Sequence, residues 1–128
     1  MAKKITYWLP ALGYMGLIFF LSSQNIQTPY PKFHIDKIIH SIEYFILANL
    51  IFFALKNTSA FSTRKIIILS IILSTLYGIS DEIHQYFVPG RCSDISDAFA
   101  DMIGSSFVAI SYKYSSEFLT NLFKIGKK

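Results

Sequence analysis

The sequence runs to 128 residues, of which 52% are hydrophobic and only 16% charged, with a mean hydropathy of +0.42. That is too apolar and too poor in charge for an ordinary soluble domain, and one domain's length leaves no room for a second. The lone Cys92 excludes an intramolecular disulfide and a four-thiolate zinc site. The net charge of +4 points to membrane orientation rather than to nucleic acid, because of where the basic residues fall.

Charges come in clumps, and between the clumps lie apolar runs of about 18–23 residues. At about 1.5 Å per residue these cross roughly 30 Å of hydrocarbon. The first span is expected over residues 5–23, after Lys3 and Lys4. A signal peptide has the same basic start. However, no small-residue cleavage site follows, only Ser22, Ser23, Gln24 and Asn25, so a retained helix is expected. Pro10 lies in its first turns, where proline is best tolerated.

A connection with Pro29 and Pro31 leads to the second span, 36–55, which the polar run Lys56, Asn57, Thr58, Ser59 should end. The third covers 66–87, followed by a turn at Pro89 and Gly90. Ser93 or Asp94 can cap the fourth, 95–112. The tail from Lys113 to Lys128 has the alternation of an amphipathic helix lying on a membrane surface. The fold class is therefore all-α: a four-helix polytopic membrane protein in a single unit, residues 1–128.

Four spans put both termini on one side. With the termini inside, the inner basic residues are Lys3, Lys4, Lys56, Arg64, Lys65, Lys113, Lys124, Lys127 and Lys128. The outer ones are Lys32, Lys37 and Arg91. This positive-inside bias makes the termini cytoplasmic. Seven acidic residues then fall at the outward end: Asp36, Glu43, Asp81, Glu82, Asp94, Asp97 and Asp101. His34, His40 and His84 join them.

A carboxylate near the bilayer centre costs about 2.5–3.5 kcal/mol on insertion scales, so such groups normally face the interior and mark a site. Helical spacing sorts them into three stripes. One is Asp36, His40, Glu43 and Tyr44; the second Tyr77, Asp81, His84 and Gln85; the third Asp94, Asp97, Asp101 and Gly104. The three can meet in one outward-facing pocket. Glu82 points some 100° from Asp81, toward headgroups or solvent. His34 reads as a solvated loop residue. Gly104 and Ser105 suit close helix packing.

These residues also carry a resemblance. The stretch from Tyr77 to Arg91, with Ser80-Asp81-Glu82-x-His84-Gln85 followed by Pro89-Gly90-Arg91, resembles the signature of the VanZ-like family of membrane proteins. Asp36-Lys37-x-x-His40-x-x-x-Tyr44 is similar to that family's second-helix motif. Asp97-x-x-Ala100-Asp101-x-x-Gly104 resembles its last, in which Asn often stands where this chain has Asp101. Ser22-Ser23-Gln24 fits the end of its first helix. The resemblance spans nearly the whole chain. It implies a membrane location and, for the family's named member, an association with teicoplanin resistance.

Three kinds of function fit the residues. The first is an enzyme or binding site for a phosphate-bearing lipid or cell-envelope precursor. Arg91 and Lys37 would contact phosphate, with Gln85, Tyr44 and Gln24 as further substrate contacts. Asp36, Asp81, Asp97 and Asp101 would hold a divalent cation. His84 first, then His40, with Asp81 beside them, would supply acid–base chemistry. The second is a non-catalytic protein whose polar cluster fixes helix packing. A small transporter ranks last, because the inner halves of the helices lack a polar path. Membrane lipid is the expected partner and nucleic acid is not; the residues leave the oligomeric state open.

Overall fold

The computed structural model describes residues 2–24, 32–91, 93–112 and 114. The Pro29–Pro31 connection, Cys92 and the amphipathic tail beyond Tyr114 lie outside the described residues, as does the side chain of His34. The described chain is helical: α1 Ala2–Ile5, α2 Leu9–Ser22, α3 Lys32–Thr58, α4 Thr63–Tyr86 and α5 Ile95–Ser106.

The expected first helix is broken near its start. Pro10 has no N–H to give the Thr6 carbonyl, and its ring crowds that carbonyl. The chain tightens over residues 6–8 instead, with Trp8 N–H donating to Ile5 O (2.9 Å), before the regular ladder resumes from Leu12 N–H to Trp8 O (3.0 Å). The helix α3 runs further at both ends than expected. Its polar C-terminal residues stay helical because their side chains fold back on carbonyls four residues earlier. Asn57 donates to Phe53 O, Thr58 to Ala54 O and Ser59 to Leu55 O, each at 2.7 Å. Leu55 O already accepts the Ser59 N–H at 2.9 Å, so these bonds add second donors to ladder carbonyls and satisfy the polar side chains on their own helix.

Ser62 caps α4, its hydroxyl accepting from Lys65 N–H. Asp94 caps α5, its carboxylate accepting from Ser96 N–H at 2.9 Å. The fourth helix is not continuous to Tyr112: it turns at Phe107, and residues 108–112 are helical again. Of the four expected spans, α3 from Ile35 and α4 are each long and apolar enough to cross a membrane; α2, with 14 residues, and α5, with 12, are shorter.

Cross-helix bonds give the topology. Tyr77 pairs with Met15, Ser22 with Asp81 and Ser23 with His84, so α2 and α4 run parallel. Lys37 with Asp97, His40 with Asp101 and Asn49 with Ser111 make α3 and α5 parallel too. Neighbours in sequence are antiparallel: Ser74 reaches both Tyr44 O and Ser105. The helix α3 touches α2, α4 and α5 and supplies most of the core, with Leu47, Ala48, Ile51 and Phe52 packed near Ile66 and Val108.

The polarity of α4 is inverted relative to a water-soluble helix. Its buried side holds Ile66, Ser70, Ser74, Gly78, Asp81, Glu82 and Gln85, while Ile68, Ile72, Leu76, Ile79 and Ile83 point outward. Small inward residues let helices approach closely. At the tightest point a Cβ on Gly104 would collide with the Ser41 backbone carbonyl, so only glycine lets α5 lie against α3 there.

Candidate functional site

The polar residues gather at one end of the bundle, as the stripes predict, but they form two groups. In the first, α4 is tied to α2. Asp81 uses both oxygens: Oδ1 accepts from Ser22 (2.7 Å) and Oδ2 from Gln85 Nε2 (2.9 Å). Ser23 Oγ lies 3.0 Å from His84 Nε2 and donates its single proton to Phe19 O at 2.7 Å. A hydroxyl has one proton to give, so His84 is the donor in that pair and Ser23 is not an activated nucleophile. The His84 ring also lies against Phe19, with centroids 4.4 Å apart. Arg91 donates to the carbonyls of Leu21 and Gln24, both at 3.0 Å, and so closes the C-terminus of α2. The Gln24 side chain folds back to Phe20 O.

In the second group, α3 meets α5. Lys37 Nζ donates to Asp97 Oδ1 (2.8 Å), Ser96 Oγ and, more loosely, Asp94 Oδ2 (3.5 Å). Asp94, outside the spans, is held below the usual carboxyl range, first by its hydrogen bonds with Ser96 and then by the Lys37 charge. Three residues on from Lys37, His40 Nδ1 lies 3.0 Å from Asp101 Oδ1, both side chains buried. The Tyr44 ring lies parallel to the His40 ring, with centroids 6.4 Å apart. Ligand atoms of Asp36, His40 and Asp97 all fall within 4.8 Å of one another.

This second group leaves hydrogen-bonding capacity unused. Asp101 Oδ2 and Tyr44 Oη are buried without partners. The former rests against Gly78, whose missing side chain makes room for it. Glu82 is 6% exposed; its Oε2 accepts from Asp94 N–H at 3.1 Å while Oε1 has no partner. An unsatisfied buried oxygen costs about 1–3 kcal/mol, more when charged.

A family model described as VanZ/LLP1 matches residues 7–119. The chain belongs to the VanZ-like family. No curated protein and no solved structure matches it. The matched stretch of this VanZ-like chain contains every residue of both groups.

The site residues singled out in this VanZ-like sequence thus fall in distinct places. Asp36, Lys37, His40, Asp97 and Asp101 come together, with Tyr44 stacked beneath. Asp81, His84, Gln85, Gln24 and Arg91 belong to the α2–α4 side, so the four aspartates do not converge on one point. Glu82, expected to face headgroups or solvent, is buried against the start of α5. The rotation of about 100° that turns it from Asp81 points it at a different neighbouring helix rather than out of the bundle. Ser22, marked by the Ser22-Ser23-Gln24 resemblance, Ser105, expected to pack closely beside Gly104, and Ser41 also carry cross-helix bonds; for Ser41 the only signal in the sequence is small size.

Proposed function

We propose that this chain is a multi-pass protein of the cell membrane, with cytoplasmic termini and its polar end outside, which binds a phosphate-bearing lipid or lipid-linked envelope precursor. The observation that carries the proposal is an apolar groove of about 350 Å³ between α3 and the last helical segment, lined by Ser41, Ile42, Phe45, Phe107, Ile110 and Ser111. It begins at Ser41, next to His40 and bonded to Ala100 O beside Asp101, and runs away from the polar end. A lipid has the same layout, a polar head followed by an apolar chain.

The outward isoleucines of α4 support the membrane reading, since water-soluble monomers rarely expose continuous apolar faces. The basic-residue bias supports the orientation. Residues 95–112 taken together reach roughly 27 Å, close to one hydrocarbon thickness of about 30 Å. Within this reading His40, oriented at Nδ1 by Asp101, is better placed to face a ligand than His84, whose Nε2 is engaged by Ser23. An effect on glycopeptide susceptibility would run through the bound precursor.

The full chain, purified in mild detergent and stripped of lipid, should retain a polyprenyl phosphate in native mass spectrometry in preference to the free polyprenol. Ile110→Trp, filling the groove from its exposed side, should weaken retention roughly tenfold, or about 1.4 kcal/mol. Equal retention of phosphate and alcohol would sink the proposal. A second reading, a helix-packing network without a ligand, is favoured by the α2–α4 group alone, where both Asp81 oxygens are satisfied within the protein.

A further inference from the structure

We infer that Asp36, His40 and Asp97 form a binding site for one first-row divalent cation, zinc or manganese. Three observations converge on it. The first is geometry: one ligand atom from each residue lies within a 4.8 Å span, close enough for all three to reach a single ion. Asp36 and His40 are one turn apart on α3, and Asp97 faces them from the first turn of α5.

The second is orientation. His40 Nδ1 is engaged by the buried Asp101 carboxylate, which fixes the ring and leaves Nε2 as the nitrogen that a neutral imidazole would offer to an ion. A carboxylate behind a ligating histidine is the usual supporting shell of such sites.

The third is a buried acceptor beside this cluster that no protein group satisfies. Glu82, more than nine-tenths buried, interacts electrostatically with both His40 and Asp97, and its Oε1 has no hydrogen-bond partner. Five carboxylates (Asp36, Glu43, Glu82, Asp97 and Asp101) therefore lie around His40, with the Lys37 ammonium beside Asp97. Lys37 covers Asp94 and one oxygen of Asp97. The imidazole in the ligand set favours zinc, and its two carboxylates also suit manganese, over calcium or magnesium, which prefer all-oxygen shells.

The inference deepens the lipid reading, because a cation here would let an acidic pocket accept a phosphate. The cation site does not depend on that reading for its own test. The detergent-purified full chain, treated with chelator and dialysed, is titrated with Zn²⁺ or Mn²⁺ by calorimetry, with circular dichroism to confirm helical folding of each variant. The expected result is about one ion per chain, with His40→Gln and Asp97→Asn abolishing the tight phase. Asp101→Asn should weaken it about 10–100-fold, as outer-shell changes do. Lys37→Met, which removes the competing charge, should tighten it; this variant decides the matter should the others fail to fold.

No tight binding to the folded chain, or binding indifferent to Lys37→Met and Asp97→Asn, would overturn the site. Polyprenyl phosphate retention is read on the same samples with and without metal. Metal binding without lipid retention would count against the lipid reading only. Lipid retention without metal binding would count against the cation site only.

Discussion

The α2–α4 and α3–α5 contacts use similar side chains at the same end of the bundle, yet they are finished to different degrees. Between α2 and α4, both Asp81 oxygens have donors, His84 has an acceptor, and Arg91 is spent on main-chain carbonyls. Around the α3–α5 contact, carboxylate oxygens of Asp101 and of Glu82 on α4 are buried with nothing to accept from. A satisfied network holds helices together; an unsatisfied one carries a cost that a ligand can relieve. Residue type alone does not separate a tie from a site. The unmet hydrogen bonds are what set these two groups apart.

The largest expected effect tests the α3–α5 side. Asp101→Ala leaves His40 buried without its partner and should destabilise the bundle by about 3–5 kcal/mol, measured by denaturant unfolding in detergent. A loss below about 1 kcal/mol would mean that the pair is dispensable and the contrast overstated. Ser22→Ala on the α2–α4 side strips Asp81 of one donor and should cost about 1–3 kcal/mol by the same measurement. It should leave divalent-cation affinity unchanged, and a shift in that affinity would merge the two groups into one.

The smallest effect is at Asp94. Its carboxyl is held below the ordinary range, so its contribution is full above the unfolded-state pKa and is lost as pH falls through the folded one. Asp94→Ala should therefore lower the melting temperature slightly near neutrality and not at all in strong acid. A difference that persists in acid would assign the effect to packing.

Much of this was legible in the sequence, because helical periodicity is a local property. The stripe of Asp36, His40 and Tyr44 and that of Asp97 and Asp101 follow from spacing alone, and the structure sets them face to face. Which stripe meets which partner is not local. Asp81 and Glu82 are adjacent in sequence, yet one turns to α2 and the other to the start of α5, a choice made by the crossing of three helices. Arg91 looked like a phosphate contact because a guanidinium suits phosphate; the carbonyls at the end of α2 offer it a comparable set of acceptors. The extension of α3 past Leu55 depended on Asn57, Thr58 and Ser59 folding back on their own helix, where their polarity suggested a loop.

The inverted face of α4 has a consequence for how the chain tolerates change. Its outward isoleucines are about half exposed, so exchange among leucine, valine, isoleucine and phenylalanine there should pass almost unnoticed in a saturation scan. The inward Ser70, Ser74 and Gly78 should accept little beyond one another, because each added methyl presses on a facing helix. The residues that look least distinctive along α4 are thus the ones drift can least afford to replace.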